Sequence, residues 1–152
     1  MSHIRAQIRS ALVARLGGLA TTGTNVFANR MEILSDPELP ALLIMTDGEM
    51  VKNRAVGSQA APHARMELRT ESFKVRACAK ANTGLDDTLD EICLEVEKAI
   101  AADIFMGGLT DDARLMQTVY QLDASGEHPE GTADMIWELS PWVSNTTPDT
   151  RA

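Results

Sequence analysis

Three histidines, two cysteines and one dense run of carboxylates are the residues of this chain with the most chemistry to offer. His3, His63 and His128 have no Cys, Asp or Glu at the spacing of a metal ligand set. His128, between Glu127 and Pro129, admits a metal-binding loop as the alternative to a solvated turn. Cys78 and Cys93 are too few for a disulfide scaffold and match no redox or zinc motif, so they read as buried structural thiols. In Asp86-Asp87-Thr88-Leu89-Asp90-Glu91, a helix would make Asp87 a neighbour of Asp90 and Glu91, which suits a hard cation. An acidic first turn is equally what a helix dipole favours. No G-x-S-x-G elbow surrounds a serine, and no Walker-type glycine loop precedes a lysine. The sequence predicts no catalytic residue, no cofactor site and no metal ligand. A binding or assembly role gains by elimination.

The composition narrows that role. With 152 residues, 44% hydrophobic and 24% charged, the chain has the length and composition of one globular domain. A net charge of −8 repels phosphate backbones, and six aromatics are few for a base-stacking platform, which argues against nucleic-acid recognition. The longest apolar run, 39–45, is far short of a membrane span and contains Pro40. Arg5, Arg9 and Arg15 interrupt any signal-peptide core, so the expected setting is soluble and intracellular, with reduced thiols. The charge is unevenly spread: residues 1–46 carry a net of +1, residues 47–80 a net of +3, and residues 81–152 a net of −12. That split keeps a surface solvated, and it also lets copies of one molecule pair head to tail.

Elements that would position such surfaces can be read in order. Ile4, Ile8, Leu12 and Leu16 recur every fourth residue, with Ser2 as the expected cap and Gly17-Gly18 as the stop, predicting a first helix. A short strand follows over 26–31. The run 39–45, apolar on both faces, predicts a strand in the middle of the sheet. Residues 47–80 read as a long β-hairpin with limbs at 49–53 and 65–79 and a mobile tip at 54–64. In its second limb the apolar residues shift from Met66 and Leu68 to Phe73, Val75, Ala77 and Ala79. An even-to-odd shift requires a bulge or a change of environment near Thr70–Ser72. Thr83, with Asp86, predicts the capping box of a second helix whose stripe is Leu85, Leu89, Ile92, Val96, Ala99 and Ile100. A closing antiparallel pair is expected at 113–122 and 132–143. Residues 144–152 are polar and expected to be frayed, leaving one domain over 1–143. The expected fold is α/β (α+β): a mixed, mostly antiparallel sheet of four to six strands, two main helices and a protruding hairpin.

Three blocks carry a resemblance: Ile4–Leu16, then Gly18-Leu-Ala-Thr-Thr-Gly-Thr-Asn-Val-Phe27, then Leu39-Pro-Ala-Leu-Leu-Ile44. With Leu85–Asp103, Gly107-Gly-Leu109 and the closing strand pair, the chain over about 3–143 resembles phage tail terminator proteins. These are the minor tail protein U type of lambda-like phages, also found in prophages and gene transfer agents. The resemblance implies a structural protein of the virion tail, assembled in the host cytoplasm, without enzymatic activity. It implies a homohexameric ring that caps the tail tube, stops polymerisation and meets the head-side connector, with DNA only passing through the lumen and no membrane contact. Other head–tail connector, neck or tube ring components are the nearest alternative, and a small enzyme using an unrecognised carboxylate site is the more distant one. On this reading the subunit or tube interface falls on Met50, Lys52, Arg54, Val56, Arg65, Arg69 and Arg76, with Trp142 as a further contact residue.

Overall fold

Helix α1, Ile4–Leu16, packs its whole four-residue stripe out of solvent. Its cap is His3, whose Nδ1 accepts the Arg5 backbone N–H at 3.1 Å, in place of the expected Ser2. The computed structural model describes residues 2–30, 34–56, 64–123 and 129–152; His63, His128 and residues 57–63 of the expected tip at 54–64 lie outside the described residues.

The sheet has seven strands: β1 (Val26–Ala28), β2 (Ala41–Val56), β3 (Arg65–Lys80), β4 (Ala113–Asp123), β5 (Glu130–Leu139), β6 (Trp142–Ser144) and β7 (Thr147–Arg151). The order is β1-β2-β3-β5-β4, with β6 beside the outer end of β3 and β7 beside β6. Of these pairings, β1–β2 alone is parallel. With helix α2 (Leu85–Ala101) completing the main elements, the class is α+β, as expected.

The seven strands exceed the four to six expected, and four further details depart from expectation, each for a local reason. The double-sided apolar run is not a strand of its own. It opens the sixteen-residue β2, and the centre of the sheet is β3, which has β2 on one side and β5 and β6 on the other. Helix α2 starts at Gly84 in the left-handed region (φ 68°) with no side-chain cap, so the Thr83–Asp86 box does not form. The last strand breaks at Ser140-Pro141, where the proline lacks a ladder donor, and continues as β6 against Met66–Leu68. The tail beyond Ser144, expected to fray, instead turns back as β7. Gln7 donates to the Asp149 carbonyl at 2.7 Å, Ala152 N donates to the Trp142 carbonyl at 2.7 Å, and Arg151 pairs with Asp111.

Both helices cover one face. On it lie Leu42 and Ile44 of β2, Phe73, Val75 and Ala77 of β3, and Ala133, Met135 and Leu139 of β5, all fully buried against Leu89, Ile92, Val96 and Ile100 of α2. Each large apolar side chain among them contributes about 1.5–3 kcal/mol relative to exposure. Gly131 sits where a Cβ would lie 2.8 Å from Leu122 and 3.0 Å from Leu85, so the missing side chain lets α2 approach the sheet.

Candidate assembly surfaces

The even-to-odd shift in β3 identifies where the molecule changes environment. Pairing of β3 with β5 is unbroken from Glu71 to Lys80, and the irregularities against β2 fall between Thr46 and Gly48 and between Asn53 and Ala55, on the β2 side. β3 therefore keeps its pleat, and the shift is a change of surroundings. Odd positions run from the apolar core at Phe73 into Glu71, Arg69 and Glu67 beneath the start of α1. Even positions run from Lys74 and Arg76 into Leu68 and Met66 on the open face.

Beneath α1 the odd side chains form a charge cluster. Glu71 is fully buried, and neither of its oxygens is met by a donor at hydrogen-bonding geometry. An ionised carboxylate there would be an unpaired buried charge, so the group holds its proton. Burial first, and the adjoining Glu49 second, push its pKa up to about 8. Glu49 is correspondingly lowered, first by the adjoining Glu71 carboxyl, with Arg69 and Arg5 adding to the effect. Arg5 reaches Glu49 at 3.3 Å, and Arg69 lies 3.4 Å from Glu49 and 2.9 Å from Glu67. The net effect is a neutralised knot pinning the first turn of α1 to β2 and β3.

His3, Glu49 and Glu71 also place three ligand-type atoms within 4.8 Å of one another, the one such group among the described residues. The imidazole lone pair is already committed. Nδ1 accepts from Arg5 N and Nε2 faces the Arg69 guanidinium at 3.3 Å, so a cation at this ring would have to uncap α1 or displace Arg69. The cluster suits a proton better than a metal. Sequence spacing could not find it, because residues 3, 49 and 71 meet only through helix packing and strand register.

The open face at the same end is different. Lys52, Leu68 and Trp142 stand opposite one another across β2, β3 and β6, with Met66 paired to Ser144 and Met50 to Thr70. Met50 is 74% exposed. The indole of Trp142 is half-buried, and its backbone N–H donates to Asp111 at 3.0 Å. Three of the expected interface residues, Met50, Lys52 and Trp142, thus share one patch, and Arg65 is exposed beyond it. The side chains of Arg54 and Val56 lie outside the described residues. Arg69 and Arg76 are engaged within the chain: Arg69 in the knot, and Arg76 in a two-pronged pair with Asp134 at 2.6 and 3.0 Å. Arg76 also borders a cleft of about 360 Å³ lined by Leu34, Leu39, Leu43, Met45 and Cys78. Burial pushes the Cys78 thiol up to about 11, which leaves it a poor nucleophile. The Asp86–Glu91 series decorates the start of α2, where Asp86, Asp87, Asp90 and Glu91 are exposed and Asp90 accepts from the Tyr120 hydroxyl.

Comparison with known proteins gives little more. No family model and no curated protein matches the chain. Among solved structures, a chain from a structure described as the virion of a native gene transfer agent particle aligns over 91% of this chain and 90% of its own length. Identity there is 12% and the TM-score is 0.36.

Proposed function

We propose that this chain is a structural component of a phage-type tail. In this reading it is a terminator that joins its own copies into a ring, hexameric in keeping with the sequence resemblance, on the end of the tail tube. The ring halts tube growth and presents its other face to the head-side connector. The observation that carries the reading is the open-face patch of Met50, Lys52, Leu68 and Trp142. It puts apolar side chains and one cation where a solvated monomer needs neither. The charge split supports the same reading, because a positive 47–80 segment and a strongly negative 81–152 segment attract between neighbours. A lumen lined by the acidic part would let DNA slide without sticking, since phosphate binding depends on Lys and Arg. The protein then acts in the virion tail, built in the host cytoplasm, and transforms no substrate.

Deleting the gene in a particle-producing host tests this. Overlong tails support the terminator reading. Tails of normal length without heads transfer the protein to the connector or neck class, and particles indistinguishable from the parent refute a tail role.

A further inference from the structure

On one side the sheet ends in β4, which pairs only with β5 among the described residues. Natural edge strands are blunted by charges, prolines or shortness. β4 is eleven residues long, and Leu115 to Leu122 holds no charge, no proline and no glycine. Met116, Val119, Tyr120 and Leu122 are 54%, 40%, 41% and 54% exposed. The one irregularity, between Leu115 and Gln117, lies at the start of this stretch, and the register is regular from Gln117 to Leu122. On the opposite side, β1 covers β2 only at Leu42–Ile44, so among the described residues the outer edge of β2 is open from Thr46 onward, where Val51 is 44% exposed.

The two open edges carry opposite charge. Over β4 lies α2, with six acidic residues and one lysine, tied to the strand by Tyr120 and Asp90. Beside the β2 edge lies α1, with three arginines and no acid; Arg5 pairs with Glu49 and Arg15 with Asp103, while Arg9 donates to Thr46 at 2.8 Å, at the edge itself. Pairing β4 with β4 would set two acidic helices against each other, whereas pairing β4 with β2 sets acid against base.

We propose that the outer edge of β4 in one copy adds to the outer edge of β2 in the next, so that the sheet runs on from subunit to subunit. Each copy then uses two different edges once, the head-to-tail arrangement that closes into a ring. This rests on the assembly reading above and names its surfaces.

The test uses the full chain and two variants at exposed edge positions, Val119→Lys on β4 and Val51→Glu on β2, in sedimentation velocity. Val119 stands opposite Asp134 and Val51 opposite Arg69, so each new charge meets one of opposite sign across the strands. The wild type should form one closed oligomer. Each variant alone should be monomeric. An equimolar mixture should give a dimer and nothing larger, because it restores a single good interface. Unchanged oligomers in both variants overturn the edge assignment while leaving assembly intact. A Val51→Glu dimer on its own means β4 pairs with itself and overturns the assignment too. A wild type that stays monomeric, also with tail tubes added, overturns both readings. Amide exchange on the unmodified chain is independent of any variant: residues 117–122 should gain protection on oligomerisation, and unchanged exchange in the oligomer refutes the pairing.

Discussion

Replacing Glu71 by glutamine isolates the buried proton. In the unfolded chain this carboxyl titrates near 4.5, and in the folded chain near 8, so the folded state keeps a proton that the unfolded state gives up. Stability is therefore fully present below about pH 4.5, falls as pH rises, and levels off above about 8. Between pH 5 and 7.5 those two values correspond to a loss of at most about 3 kcal/mol. The lowered pKa of Glu49 acts in the opposite direction, but below the ordinary carboxylate range and so outside this window. The amide that E71Q installs cannot ionise. Stability of the variant should run nearly flat where the wild type declines, within about 1 kcal/mol of wild type at pH 5 and above it at pH 7.5. Urea unfolding at pH 5, 6.5 and 7.5 reads the difference, with general charge repulsion common to both proteins. Parallel pH profiles for wild type and E71Q would refute the description of Glu71 as a buried, protonated carboxyl.

Other consequences follow from the same contacts. Arg69→Glu places a third carboxylate beside Glu49 and Glu67 and should cost about 3–5 kcal/mol in urea unfolding, as a buried pair broken from one side does. Arg65→Glu, on an exposed position, should leave stability within about 0.5 kcal/mol but weaken oligomers at low salt more than at high salt, as sedimentation would register. Phe73→Ala empties the centre of the core and should cost about 3–5 kcal/mol, visible as a lower denaturation midpoint at unchanged slope. Gly131→Ala should cost about 1 kcal/mol or more as Leu122 and Leu85 are pushed aside, read by thermal unfolding.

What the sequence disclosed follows from the range of its signals. Ile4, Ile8, Leu12 and Leu16 bury one helix face with a fixed period, so α1 was legible apart from its cap. Ala133, Met135, Trp137 and Leu139 of β5 alternate just as plainly. The phase shift in β3 was also readable, and its cause proved to be surroundings, with the extra residues inserted in β2. Contacts made across the fold were not readable. His3 caps α1 although Ser2 is the better capping type, because its ring is held among Arg5, Arg69 and Glu49. The polar tail looked unable to bury itself, yet β7 is secured by backbone bonds to β6 and by Asp111, none of which composition reveals. Of the expected surface residues, Met50, Lys52 and Trp142 meet because strand register aligns them. Arg69 and Arg76 were drawn inward by Glu67 and Asp134, partners two and fifty-eight residues away.

Adding the purified chain to bare tail tubes and viewing them by electron microscopy confronts the account most squarely. A terminator should appear as a ring of one fixed size seated on a single end of each tube, with no further tube growth when subunits are supplied. Tubes that stay bare at both ends and keep lengthening, beside a protein that remains single, would contradict it.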